Sequence, residues 1–322
     1  MAFSSTYSAT PITVAKSIST APLLQYNPGA VTVGAGKTAF FYQDTSGNLF
    51  GRLANGAADP TGGIVTVATG IDTSNNTKVT SATVLTNGNV VVTWASQGTT
   101  GDIYFRIYDA NLNPLTDAIS AETSGLSSRH PDVAALAGGG FVIAWEKSFS
   151  TTDHDVVFRQ FDASGTGLGD ATGTGVDTSV AYDEYPSVAG LADGGFALGF
   201  DRLASGNTTA WRAVREADGS QRLAATQFDN AGTVNKAIDV VALPNGQFLL
   251  NYEDSGWTGD ASNTDVTAAR FTAAGSFITF VRASNAANND DHAFAAVSPD
   301  GFTIINSTNS NGSAYDIKAA LL

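Results

Sequence analysis

Side chains that could bind a ligand or an ion gather in a few short polar segments of this 322-residue chain. Carboxylates stand there beside imidazole, guanidinium and phenol groups, and carboxylate oxygens are the ligands that a hard cation such as Ca²⁺ prefers. The sequence predicts a calcium site whose ligands are Asp183, Glu184, Asp290 and Asp291, and the alternative is that these are solvated loop residues that bind no ion. The neighbouring residues predicted to contact another ligand are Arg129, His130, Tyr185 and His292.

Trp257 is the fifth predicted ligand-contact residue. It stands in the long polar segment "DSGWTGDASNTD" (254–265), where a buried role is hard to supply. A second aromatic set recurs along the chain at Tyr42, Trp94, Trp145, Phe200 and Tyr252. These rings could be sugar platforms, with Arg52, Arg106 and Arg159 as hydrogen-bond donors. Packing between sheets is the favoured interpretation, because Phe141, Ile143 and Trp145 alternate onto one face of a strand.

The elements that position these residues belong to a repeat. An apolar run, a turn and a second apolar run recur six times, best seen in "HPDVAALAGGGFVIAWEKS" (130–148) and "YPSVAGLADGGFALGFDR" (185–202). The glycines that mark the six turns are Gly36, Gly88, Gly139, Gly194, Gly246 and Gly301, spaced 51 to 55 residues apart. A repeat of this length is typical of propellers, solenoids and arrays.

Each unit predicts four antiparallel strands. Asn-Gly and Asp-Gly turns favour tight hairpins with positive φ at both central residues, and segments such as "DIYFRIYDANLNP" (102–114) alternate with the period of a strand. The prediction is an all-β, six-bladed β-propeller of four-stranded antiparallel blades, forming a single domain over residues 1–322. The strand "TPITVAKSIS" (10–19) is expected to close the ring by completing the last blade, which ends at "YDIKAALL" (315–322). A parallel β-helix is the alternative, but hairpin turns inside each unit disfavour it.

The charge and composition of the chain limit the classes of partner and the cellular locations that are expected. The net charge is −14, so nucleic acid is not expected, because phosphate binding needs a basic surface. No segment is apolar for long enough to span a membrane, no cysteine is present, and the N-terminus lacks the pattern of a signal peptide. Few lysines and 34 glycines favour an extracellular or cell-surface protein exported without a cleaved leader, with a cytoplasmic location as the alternative. The oligomeric state does not follow from the sequence.

Residues 130–167 carry a family resemblance. Pro131, Val133, Gly139, Gly140 and Phe141, followed by "DVVFRQFDASG" (155–165), resemble a repeat of large secreted bacterial RTX-type proteins and adhesins that use type I secretion. The resemblance implies a propeller, export without a leader, and a surface or adhesive role. This chain departs from those proteins in lacking their glycine- and aspartate-rich calcium nonapeptides.

The leading functional expectation is a non-catalytic binding protein that recognises a glycan or another envelope component through the loop face of the propeller. The first alternative is a glycan-active hydrolase whose acid and base are carboxylates at the channel mouth, among Asp132, Asp183, Glu184 and Asp291. The second alternative is a scaffold without a small ligand. Motifs for serine nucleophiles, zinc and phosphate loops are absent from the sequence.

Overall fold

The computed structural model describes residues 25–34, 36–73, 80–98, 101–177, 179–229, 236–255, 264–282, 289–297, 303–310 and 315–321. Within these ranges the regular structure is entirely β-strand, so no membrane-spanning helix occurs there. The all-β prediction is therefore confirmed for the described residues. The predicted closing strand (10–19), Trp257 and Gly301 lie outside them.

The strands follow one another in groups along the chain. The first two groups are β1 (Gln25–Thr32), β2 (Lys37–Asp44), β3 (Asn48–Asn55), β4 (Pro60–Thr69), and β5 (Thr80–Val84), β6 (Val90–Ala95), β7 (Ile103–Tyr108), β8 (Ile119–Ser120). The third and fourth groups are β9 (Ser128–Ala135), β10 (Phe141–Ser148), β11 (His154–Phe161), β12 (Gly167–Leu168), β13 (Thr174–Gly175), and β14 (Tyr182–Gly190), β15 (Phe196–Ala204), β16 (Asn207–Arg215), β17 (Gln221–Asp229). The last two are β18 (Lys236–Ala242), β19 (Phe248–Ser255), β20 (Thr264–Phe271), β21 (Phe277–Arg282), and β22 (Asn289–Val297), β23 (Thr303–Ser310), β24 (Tyr315–Leu321).

Strands within each group pair antiparallel in chain order, which is the meander of a propeller-like sheet. The short strands β12 and β13 both pair with β11 as the outer edge of the third group. The third and fourth groups meet at one parallel pairing, His154 with Tyr182, which joins them into a single sheet. The first strands of successive groups pack side by side, from β1 through β5, β9, β14 and β18 to β22.

The hydrophobic core consists of layers between successive groups. Strand β10 shows why, because Phe141, Ile143 and Trp145 pack toward the second group while Val142 and Ala144 pack toward the fourth. A sheet buried on both faces reads as a continuous apolar run, as "FVIAW" (141–145) does. The recurrent aromatic positions serve these layers: Tyr42, Trp94, Trp145, Phe200 and Tyr252 are all buried.

The glycine turns differ in detail from the expected tight hairpins. Gly88, Gly194 and Gly246 have positive φ, but the preceding Asn87, Asp193 and Asn245 do not, and Gly139, which follows Gly138, also has positive φ. Each glycine N–H donates to the carbonyl three residues earlier, and the Asn87, Asp193 or Asn245 side chain accepts the N–H two residues later. The prediction of two left-handed residues is therefore wrong. In the observed turn only the glycine has a left-handed backbone. The asparagine or aspartate before it avoids that strained conformation, while the N–H and carbonyl groups of the turn remain hydrogen-bonded.

A polar belt joins the first strands of neighbouring groups. Both carboxylate oxygens of Asp132 on β9 accept hydrogen bonds across the interfaces, Oδ1 from Ser81 Oγ at 2.7 Å and Oδ2 from Ser187 Oγ at 2.9 Å. Oδ2 also accepts the Val188 N–H at 2.9 Å, and Ser187 Oγ accepts the Val240 N–H at 3.1 Å. Asp132 is thus a structural residue of the belt, which corrects its candidacy as a catalytic carboxylate.

Asp132→Ala should lower the free energy of unfolding by about 2–3 kcal/mol, because it leaves buried donors of two neighbouring groups without an acceptor. Urea denaturation followed by tryptophan fluorescence measures the change. Asp132→Asn keeps one acceptor oxygen and should lose less. Equal stability of Asp132→Ala and the wild type would show that the belt does not hold the groups together.

Candidate active site

The first two site residues, His130 and Tyr185, lie in bulges at the start of β9 and β14. Arg129 pairs with Glu146 and Asp132 with Ala144, so His130 and Pro131 together oppose one residue of β10. Such a bulge re-aims side chains, and proline fits it because no ladder hydrogen bond is lost. Tyr185 occupies the equivalent bulge of β14, and both residues take a left-handed backbone, with φ of 51° at His130 and 52° at Tyr185.

Glu146 is the centre of the first cluster. Its Oε2 lies 2.8 Å from His130 Nδ1 and its Oε1 lies 2.7 Å from His154 Nδ1, while Arg129 Nε stands 3.2 Å from Oε1. Glu146, His130 and His154 are buried, and the Arg129 side chain is 30% exposed. Burial alone would raise the pKa of Glu146, but the hydrogen bonds from the two histidines and the charge of Arg129 lower it below its usual value.

The ionised Glu146 fixes the tautomer of both imidazoles. A carboxylate only accepts hydrogen bonds, so each Nδ1 carries the proton and, in a neutral ring, the lone pair is on Nε2. His130 Nε2 is buried and has no hydrogen-bond partner among the described residues. An imidazole oriented by a carboxylate through Nδ1 can act as a base through Nε2, the arrangement in which carboxylate–histidine pairs transfer protons.

Two tyrosines of β14 cover the histidines. The Tyr185 ring lies 4.4 Å from the His130 ring and the Tyr182 ring lies 3.9 Å from the His154 ring, measured between centroids. Both tyrosines are half-buried, so the cluster reaches the surface through them and Arg129. Burial, with the nearby negative charge of Glu146, raises the pKa of Tyr182, which keeps its hydroxyl protonated and able to donate.

A second cluster of three carboxylates lies at the same seam between the third and fourth groups. Single carboxylate oxygens of Asp155, Asp177 and Asp183 all lie within 4.8 Å of one another. Arg202 on β15 binds Asp183 through Nε at 2.6 Å and through Nη2 at 2.7 Å, and Nη2 also contacts Asp177. The guanidinium carbon stands 3.9 Å from the centroid of the Trp211 ring, which holds it in place.

The three carboxyls differ in acidity because their surroundings differ. Burial and the charges of Asp153, Asp183 and Asp177 raise the pKa of Asp155 to about 7, and its Oδ1 is buried without a hydrogen-bond partner among the described residues. Burial raises the pKa of Asp183 to about 6 in spite of Arg202. Burial also acts on Asp177, but the hydrogen bonds from Arg202 and the Ser179 N–H lower its pKa below the usual range. A protonated and an ionised carboxyl therefore stand side by side.

The structure brings together part of the predicted site. Arg129, His130 and Tyr185 meet around Glu146, and Asp183 belongs to the carboxylate cluster. Glu184 follows Asp183 on β14, opposite Asp201, and is not a member of that cluster. The backbone of His292 occupies the equivalent bulge of β22, next to Asp290 and Asp291, while the side chains of these three lie outside what the structure describes. The calcium site stays a prediction, and Arg202 already compensates two carboxylates of the cluster.

Sequence reasoning missed Glu146, Asp155, Asp177 and Arg202 as site residues. One signal was available for Glu146. The position after each recurrent aromatic residue is Gln43, Ala95, Glu146, Asp201 and Glu253, so a carboxylate there interrupts an apolar run just where the strand nears its loop. The other residues come from strands or loops with no fixed spacing to Glu146, so only the fold reveals their proximity.

No protein-family model matches the chain, and no curated protein matches it. Solved structures do share its fold. A protein of unknown function from Dyadobacter fermentans aligns with a TM-score of 0.63 and 10% identity over 93% of this chain and 94% of that one. An alpha-L-arabinanase of Penicillium chrysogenum, complexed with arabinobiose, gives 0.57 and 11% over 92% and 93%. A PL25 ulvan lyase bound to -[GlcA(1-4)Rha3S]- gives 0.60 and 12% over 92% and 78%. At these identities the likeness shows a propeller-like fold.

These neighbours correct the functional expectation. The preference for a non-catalytic binding protein is wrong, because the structural neighbours of stated activity are enzymes that act on glycans. They agree better with the alternative drawn from the sequence, a glycan-active enzyme. These neighbours also agree with the prediction of a glycan as the partner. The other predictions about partners are not tested by them.

The raised pKa of Asp155 predicts how stability depends on pH. An acid whose folded pKa is raised from 3.8 to about 7 holds its proton more tightly in the folded state, so folding stability falls as pH rises through that window. Asp155→Asn mimics the protonated form, so its melting temperature should exceed that of the wild type at pH 8 and match it at pH 4.

Thermal denaturation from pH 4 to pH 9 measures this difference, with Asp218→Asn as the control. Asp218 is an exposed turn residue that accepts the Ser220 N–H at 2.9 Å, and an asparagine keeps that bond. A constant difference between Asp155→Asn and the wild type at every pH would contradict the assigned protonation.

Proposed function

We propose that this protein is a glycan-active enzyme that hydrolyses glycosidic bonds at the seam between the third and fourth groups of strands. The observation that carries the proposal is the pair of adjacent carboxyls with opposite pKa shifts, Asp155 raised and Asp177 lowered. Glycoside hydrolysis needs one protonated carboxyl to protonate the leaving oxygen and one carboxylate to act as nucleophile or base. The fold shared with arabinan-degrading enzymes supports the same substrate class.

Each residue has a role in this scheme. Asp155 is the acid, because its pKa of about 7 keeps a proton available near neutrality. Asp177 is the ionised partner, and the oxygens of the two residues lie within 4.8 Å. Carboxyls about 5 Å apart favour the retaining mechanism, in which the second carboxylate forms a glycosyl intermediate. Asp183 is a positioning residue, since it holds Arg202 by two hydrogen bonds and Arg202 in turn fixes Asp177.

Asp155→Asn and Asp177→Asn should each lower kcat on a cleaved glycan by about 10²-fold or more, because each removes a proton-transfer or nucleophilic group. The wild type is first tested on arabinan, other neutral polysaccharides and polyuronates by release of reducing ends. Asp218→Asn is the matched control and should retain full activity. Absence of cleavage on every glycan, or full activity in both variants, would contradict the proposal.

A second chemistry is favoured by the Glu146 cluster, namely β-elimination on a uronate-containing glycan. An imidazole oriented by Glu146 would take the proton on C5 through its Nε2, the C4–O bond would break as the C4=C5 bond forms, and a tyrosine hydroxyl would protonate the leaving oxygen. Arg129 would face the uronate carboxylate. The products decide between the two reactions, since hydrolysis incorporates ¹⁸O from labelled water, whereas elimination yields a conjugated double bond with ultraviolet absorbance and takes up no ¹⁸O.

We also propose that the six groups of strands form a closed six-bladed ring. The last group contains three strands among the described residues, β22, β23 and β24, so it has room for an outer fourth strand. The segment 10–19 would supply that strand and remove an exposed sheet edge. An extracellular location, the RTX-type export route and calcium binding stay proposals that fit an enzyme of polymeric glycans.

Deletion of residues 1–20 should lower the melting temperature of the whole molecule, because an open ring leaves the last sheet unpaired at its edge. Differential scanning calorimetry measures this, and adding the 1–20 peptide back should restore part of the loss. A truncated protein that melts like the full chain would contradict closure by this segment.

A further inference from the structure

Exposed large apolar side chains fall into two groups among the described residues. Five stand on or beside the outermost strands of their groups, at Ile64, Leu115, Leu168, Phe277 and Ile278. The other three are Phe149 at 48% exposure, Val180 at 85% and Leu203 at 38%. These three surround the loop end of the seam that holds both clusters, and we call them the apolar rim.

Backbone pairing places the rim next to the candidate active site. The Phe149 N–H donates to the Asp153 carbonyl at 2.9 Å, one residue before His154. The His154 N–H donates to the Ala181 carbonyl at 3.1 Å, which fixes Val180 beside the same strand end. Leu203 is the register partner of Tyr182. Phe149 is therefore bonded to the residue before His154, Val180 precedes the residue that accepts the His154 N–H, and Leu203 pairs with the tyrosine that stacks on His154.

Phe149 is held in place on its inner side. The Lys147 ammonium lies 5.7 Å from the centroid of the Phe149 ring, and Lys147 itself is buried, with its Nζ 2.6 Å from the Thr172 carbonyl and 3.4 Å from Glu122 Oε2. A buried cation held by these oxygens fixes one side of the ring, while nearly half of the side chain stays exposed. An ordered, exposed aromatic ring beside a polar cleft can stack on the C–H face of a sugar.

We propose that the apolar rim, with Phe149 as its central residue, is a subsite that binds a sugar ring of the glycan chain next to the unit that is cleaved. The inference deepens the proposed function, on which it rests, by assigning where the polymer extends beyond the catalytic carboxyls. The occupant is a neutral pyranose or furanose ring, because the three rim side chains are all apolar. Phe149 was not among the contact residues predicted from the sequence, whose aromatic members were Trp257 and Tyr185.

The test separates binding from catalysis. Phe149→Ala should raise KM for the polymer about tenfold, equivalent to about 1.4 kcal/mol, with kcat within about twofold of the wild type. Phe149→Tyr should restore KM. The matched control is Phe277→Ala, which removes an equally exposed phenylalanine, at 47%, from the outer strand β21 and should leave KM unchanged. Unchanged melting temperatures would show that none of these variants disturbs the fold.

Affinity electrophoresis in gels containing the same polysaccharide gives a readout that does not need cleavage, using Asp155→Asn as the background. Retardation that is lost with Phe149→Ala and kept with Phe277→Ala supports the subsite, even where no glycan is cleaved and the proposed hydrolysis fails. Cleavage or retardation that is equal in Phe149→Ala and Phe277→Ala overturns the subsite and leaves the proposed function standing. Neither cleavage nor retardation by any glycan overturns both.

Discussion

Burial of both sheet faces in the second to fifth groups is the constraint on which the rest of the described structure depends. A strand such as β10 sends Trp145 into one layer and Ala144 into the next, so the third group buries its core only with a neighbour on each side. The first strands must then lie together, and there the backbone needs polar partners that reach across the interface. Asp132 and Ser187 meet that need, which explains why a carboxylate sits in an apolar stack.

Burial between sheets also raises the free energy of charged residues at the seam between the third and fourth groups. Hydrogen bonds and ion pairs offset this cost there. Glu146 is fully buried, but two imidazole N–H groups and one guanidinium satisfy its oxygens. Asp183 is buried against the forked guanidinium of Arg202. Asp155 forms no ion pair among the described residues, and burial with the charges of the surrounding aspartates raises its pKa, so it keeps a proton instead of a charge. Unequal compensation within one cluster is what separates an acid from a base.

The sequence predicts the fold of this chain better than its site, and the reason is physical. Gly139 and Gly194 mark turns that only a left-handed residue can end, and the apolar runs around them alternate between two buried layers, so the strands are visible in the residue pattern. His130 and Tyr185 were found because both lie in the polar segments, "SSRHPD" (127–132) and "YDEYPS" (182–187), that enter a repeat unit. Glu146, Asp177 and Arg202 become neighbours only when two groups pack, and no spacing within a unit encodes that. The hairpin type was mistaken because an Asn-Gly pair fits two turns.

The described side chains differ from one repeat to the next, which agrees with the proposed single site better than with many equivalent binding sites. A multivalent lectin would keep its contact residues in each unit, as the buried aromatic positions are kept here. In the second group, the residue equivalent to Glu146 is Ala95. In the fourth group, the residue equivalent to His154 is Thr208. The pairing of a carboxylate with this histidine therefore forms in the third group, whereas the second group lacks the carboxylate and the fourth lacks the histidine. The bulge recurs in β9, β14, β18 and β22, while the arrangement of Glu146 with His130 and His154 is specific to the third group among the described side chains.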